Sequence, residues 1–148
     1  MKKVFFLIVL SVAGYGICSA QCDKKYKMKT ERVVEIRADS TEGDEQPITA
    51  EIILSMDSIF INVTTPDGNI VEISGKLIDK VCKMNAEFTE GTYDFNADAE
   101  MNRNGESRKT KLYFNLKSKE GKIKIYGVPE ENQSEKICFV IKEKEEVK

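Results

Sequence analysis

A chain of 148 residues with 23 basic side chains, 25 acidic ones and no histidine is long enough to bury one modest core and too short for several domains. Its net charge of −2 is ordinary for solubility and excludes the basic footprint of a nucleic-acid binder. Without histidine there is no Ser/His or Cys/His nucleophile pair, and the commonest general base and transition-metal ligand is missing.

Met1 to Ala20 has the three parts of a secretory signal: Lys2 and Lys3, the apolar run Val4 to Val12, and small residues at Cys18-Ser19-Ala20. Cleavage after Ala20 is expected, leaving residues 21–148 as a single β domain. The apolar run falls short of the roughly 20 residues a membrane span needs. Charged Asp23-Lys24-Lys25 follows it, so no transmembrane span is expected in the mature chain. Loss of the two signal lysines leaves 21 basic against 25 acidic residues, a net charge of −4. The expected destination is the periplasm or the cell exterior. Lipid anchoring at Cys18 or Cys22 is the rival, although neither follows the Leu-small-small pattern that lipid attachment prefers. Export would permit a disulfide. Of the mature cysteines, Cys82 and Cys138 are the expected pair because Cys22 lies near a terminus; the alternative reading makes Cys82 and Cys138 small apolar core residues.

The mature chain alternates apolar and polar residues in short bursts, the period-2 signature of strands with one buried face. Tyr26, Met28, Val34 and Ile36 share one parity in the first burst. Asp39 to Pro47 is acidic and rich in breakers, and is expected to be a loop. Alternation resumes at Ile48, Ala50, Ile52 and Leu54, and again at Ile59, Ile61 and Val63. Thr65-Pro66-Asp67-Gly68-Asn69 predicts a hairpin in which Thr65 faces Asn69, Val63 faces Val71 and Ile61 faces Ile73.

Residues 75–90 fit either a helical stripe or a long strand, with strand preferred because the flanking segments are strands. From Tyr93 to Met101 alternation is strict, and Asn104-Gly105 marks a tight hairpin. That turn places Glu100 opposite Lys109, Asp98 opposite Lys111, Phe95 opposite Phe114 and Ala97 opposite Leu112, so one register satisfies both faces. Ser118-Lys119-Glu120-Gly121 reads as a four-residue turn that sets Leu116 against Ile123 and Phe114 against Ile125. Ile137 to Ile141 is apolar on both parities and is expected to be covered on both sides. The expected fold class is all-β, with about eight antiparallel strands in an up-and-down meander closed as a barrel or a two-layer sandwich.

No catalytic, cofactor-binding or metal-binding set is expected. Asp94, Asn96 and Asp98 resemble the start of a helix-loop-helix calcium loop, but its required Gly and Glu are replaced by Ala99 and Gly105. Tyr26, Tyr93, Tyr113 and Tyr126 offer rings on which a sugar could stack, but three of the four are expected to be core or cross-strand packing; Asn62-Val63-Thr64 and Asn132-Gln133-Ser134 match the N-glycan acceptor pattern.

The Lys-rich start, the Ser-Ala-Gln junction and the β pattern from Tyr26 to Lys142 resemble the small exported β proteins of Gram-negative bacteria. Some of these are similar to lipocalin-like barrels. The Gly-x-Trp motif of true lipocalins is absent, since the chain has no tryptophan. Two non-enzymatic functions are expected, the first ahead of the second. One is binding of a partner protein through the β surface; the other is carriage of a small apolar ligand in a cavity lined by Ile61, Ile73, Phe95 and Phe114.

Overall fold

A computed structural model describes residues 20–148; the expected signal segment, including Cys18, lies outside the described residues apart from its last residue, Ala20. A short 3₁₀ turn at Ala20–Asp23 precedes nine strands: β1 (Lys25–Ile36), β2 (Glu42–Gln46), β3 (Thr49–Leu54), β4 (Ser58–Thr64), β5 (Ile70–Met84), β6 (Gly91–Arg103), β7 (Glu106–Lys119), β8 (Lys122–Pro129) and β9 (Lys136–Val147). From β3 to β9 each strand pairs antiparallel with the next, and β1 pairs with both β3 and β9. The result is a closed eight-stranded barrel with β2 as an additional strand on β1. Closure leaves these eight strands with a partner on both sides over much of their length, which is why a barrel and not an open meander forms.

The segment expected to be a loop from Asp39 to Pro47 contains β2, whose Gln46, Glu45 and Glu42 pair with Val33, Val34 and Ile36. β2 and β3 lie along the same side of β1, one after the other, and Pro47 separates them because it has no N–H to give to a ladder. The acidic composition hid a strand that supplies hydrogen bonds the end of β1 would otherwise lack.

The expected parity of β1 holds only for its first half. Between Lys29 and Arg32 the β1–β9 ladder is irregular, leaving Glu31 and Lys142 out of the pairing. One extra residue turns every later side chain to the opposite face. Tyr26 and Met28 are therefore in the main core with Val33, while Val34 and Ile36 form a separate buried cluster with Cys138. Thr30 bridges the irregularity through its side chain: its Oγ1 accepts from Ala50 N at 2.8 Å and donates to Ala50 O at 3.2 Å.

Residues 75–84 continue β5 as the preferred strand, with Asp79 at φ 50° in a bulge between Ile78 and Val81, whereas 85–90, expected to share that strand, form a turn. The Thr65–Asn69 hairpin pairs Val63 with Val71 and Ile61 with Ile73. Around Asn104-Gly105, both at positive φ, the pairs Glu100–Lys109, Asp98–Lys111, Ala97–Leu112 and Phe95–Phe114 form as expected. The next hairpin is displaced by two residues. Its tip is Glu120-Gly121, both at positive φ, so Leu116 opposes Ile125, Phe114 opposes Gly127, and Ser118 opposes Ile123. A two-residue turn matches strand twist better than the expected four-residue one, and an even shift keeps the apolar set inside. Ile137 to Ile141 is covered on both sides: Phe139 joins the main core and Cys138 the outer cluster.

Candidate functional site

The two ends of the barrel are built differently. At one end the Asn85–Glu90 loop folds across the opening and sets Phe88, 1% exposed and at φ 59°, into the core against Tyr26, ring centroids 4.5 Å apart. Asn85 organises this loop: its Oδ1 accepts from Thr89 N at 2.8 Å and Glu90 N at 3.1 Å. Three further elements hold the loop. Ser118 Oγ donates to Phe88 O at 3.3 Å, Gly121 N donates to Thr89 O at 3.0 Å, and Lys144 Nζ donates to Glu87 O at 2.9 Å. The Lys144 ammonium also lies over the rings of Tyr26 and Phe88, and burial pulls its pKa below the usual lysine value.

A disulfide completes this closed end. Cys22, in the 3₁₀ turn, is bonded to Cys82 on β5, with Cα atoms 6.3 Å apart. The expected Cys82–Cys138 pair is thus corrected: Cys138 is a buried free cysteine. The reason is strand parity. Phe139 points inward on β9, so Cys138 points outward, where it packs with Val34, Ile36 and Tyr126. Burial raises the Cys138 thiol pKa and that of Tyr126. Beside this cluster, Glu42 binds Lys124 at 2.8 Å and Arg32 at 3.2 Å. The Lys124 hydrogen bond holds the Glu42 carboxyl below the usual range.

Above the closed end the interior is filled by aromatic rings. Tyr93 contacts Phe95 at 4.9 Å between centroids, and Phe95 stacks on Phe114 at 5.2 Å. Burial, with a contribution from the Asp23 charge, pushes the Tyr93 hydroxyl up to about 12.

The opposite end holds a cavity of about 410 Å³, within the roughly 300–1,000 Å³ range of small-molecule sites. Ile61, Ile73, Phe114 and Phe139 form its interior, with Ile48, Met101, Leu112 and Ile137 around them. Of the four expected lining residues, Ile61, Ile73 and Phe114 do line it. Phe95 does not: it is buried in the core, stacked on Phe114. Gly127 contributes space. A Cβ there would lie 3.2 Å from Phe114 Cε1 and 3.8 Å from Phe139 Cε2.

The charged residues lining this cup are Glu35, Glu135 and Lys136. Sequence reading missed Glu35 because the β1 bulge that brings it to the inward parity, opposite Ile137, leaves no mark in the hydrophobic pattern. It missed Phe139 and Gly127 because each comes to the cup only through the β8–β9 pairing, in which Gly127 opposes Ile137 and Phe139 opposes Ile125. Among the described residues no group of three or more potential metal-ligating side chains comes together, and no helix is long and apolar enough to cross a membrane.

Compared with known proteins, the chain matches no family model, no curated protein and no solved structure.

Proposed function

We propose that this protein is an exported, non-enzymatic carrier that holds a small apolar ligand in the open mouth of a barrel closed at its other end. The observation that carries this reading is the apolar cup of about 410 Å³ walled by Ile61, Ile73, Phe114 and Phe139. Its lining is predominantly apolar with a few polar groups at the edge, the composition of a small-molecule site. The Cys22–Cys82 disulfide supports export to the periplasm or the cell exterior, since such bonds persist in oxidising compartments. It also engages the Cys22 sulfur that a lipid anchor at that residue would need.

Native mass spectrometry of the protein purified from its own host tests the carrier reading. The expected spectrum contains the chain plus a noncovalent mass of lipid or small-hydrophobe size. That mass should be absent from Gly127→Leu, whose new side chain enters the cup, while the variant's far-UV circular dichroism remains that of a β protein. A bare chain in both samples, together with no binding of the neutral probe N-phenyl-1-naphthylamine, contradicts the reading.

Partner binding through the outer surface is the second reading. It is favoured by Val81 and Tyr113, exposed by 50% and 44% on either side of Asp94. Tyr113 Oη donates to Asp94 Oδ1 at 2.8 Å, which presents the ring on the outer face.

A further inference from the structure

The cup combines an apolar interior with an unequal distribution of charge at its rim. Glu35 and Glu135 both line it, and neither forms an ion pair among the described residues. Glu135 Oε1 accepts a neutral hydrogen bond from Asn132 Nδ2 at 2.8 Å. The basic lining residue, Lys136, directs its ammonium elsewhere: Nζ lies 5.2 Å from the centroid of the Tyr126 ring, which packs against the outer cluster. Lys136 opposes Ile36 in the ladder, on the outward parity, whereas Glu35 opposes Ile137 on the inward one.

The segments on either side of the mouth are also acidic. β2 carries Glu42, Asp44 and Glu45, and the loop between β8 and β9 carries Glu130, Glu131 and Glu135. The Glu42 and Glu131 carboxylates are bridged to lysine or arginine, and Asp44 lies 3.9 Å from Arg37. Of these acids only Glu35 and Glu135 line the cup, and neither is bridged to a base among the described residues. A carboxylate beside low-dielectric walls attracts cations and repels anions.

We propose that the cup selects a cationic amphiphile, with one alkyl or aryl group seated against Phe114 and Phe139 and a protonated amine at the Glu35 and Glu135 carboxylates. This rests on the carrier reading and assigns its ligand class. Phe114 and Phe139 take up the apolar part, and the rim acids decide between head groups of equal size.

Displacement of bound N-phenyl-1-naphthylamine by octylammonium, octanol and octanoate, each well below its micellar concentration, tests the assignment. Octylammonium should displace the probe at about tenfold lower concentration than octanoate, as expected for two exposed charge contacts, with octanol between them. Raised salt should narrow that gap. In the Glu35→Gln/Glu135→Gln double variant the three concentrations should converge while the probe still binds. Because both residues are at the solvent-exposed rim, the variant should fold; unchanged probe affinity verifies this. Octanoate equal to or better than octylammonium, with the probe bound, overturns the cationic preference and leaves the carrier reading standing. No probe binding by the wild-type protein removes both.

Discussion

Tyr93 shows how a single buried group connects the core to the solution. It is 2% exposed, and burial pushes its hydroxyl pKa up to about 12. In the unfolded chain the same hydroxyl ionises near 10. A raised phenol pKa means that stability is complete below pH 10 and is lost as pH rises from 10 toward 12, because only the unfolded chain can then release the proton. Chemical denaturation followed from pH 8 to 12 should show a loss of about 2 kcal/mol from this group. Tyr93→Phe should lack that component, and ultraviolet titration should show one tyrosinate fewer forming above pH 11. Glu42 behaves in the opposite sense. Lys124 and Arg32 lower its pKa, so its stabilising effect is present above the ordinary glutamate pKa and disappears as pH falls through the lowered value; solvent exposure keeps that effect small.

At the scale of elements, the closed end depends on the bond from the 3₁₀ turn to β5. The Cys22–Cys82 bridge spans 60 residues, and a loop of that length corresponds to about 4 kcal/mol through restriction of the unfolded chain. Cys22→Ala and Cys82→Ala should each lower the unfolding free energy by that order, and reduction of the wild type should match them. Cys138→Ala should leave the bridge intact. Peptide mapping without reductant should recover a Cys22–Cys82 fragment; a Cys82–Cys138 fragment would contradict the structure.

The same elements show what can be read from sequence. Asn104-Gly105 fixed its hairpin because turn chemistry, inner packing and outer charge pairs all require one register. At Ser118–Gly121 several turn lengths kept the apolar residues inside, so local pattern left the register undecided and the positive φ of Glu120 and Gly121 settled it. The β1 bulge was illegible for a related reason. Val33 and Val34 are equally apolar, and which one faces inward depends on the pairing of β1 with a strand more than 100 residues later. The cysteine pairing failed with it, since the parity of β9 determines that Cys138 points outward. Ile61, Ile73 and Phe114, like Phe95, lie on the hairpins whose registers were legible, but how far along the barrel each sits relative to the cup does not follow from register alone.

For the whole molecule, closure of β1 on β9 turns a meander into a vessel, and the Phe88 loop seals one end of it. On the carrier proposal, the ligand enters between β2, the β8–β9 loop and the ends of β5 to β7. The sealed end is dense with aromatic contacts and hydrogen bonds from three elements, whereas the mouth has the apolar volume. The proposed ligand site thus lies in one half of the barrel and the densest structural restraint in the other.

Methyl and aromatic NMR spectra recorded while N-phenyl-1-naphthylamine is titrated into the protein test this division most directly. The expected result is saturable shifts confined to Ile48, Ile61, Ile73, Met101, Leu112, Phe114 and Ile137, with Leu54, Met84, Phe88 and Ile123 unmoved. Shifts centred on Val81 and Tyr113, or on the Phe88 end, would contradict a ligand-holding mouth; so would a titration that perturbs nothing.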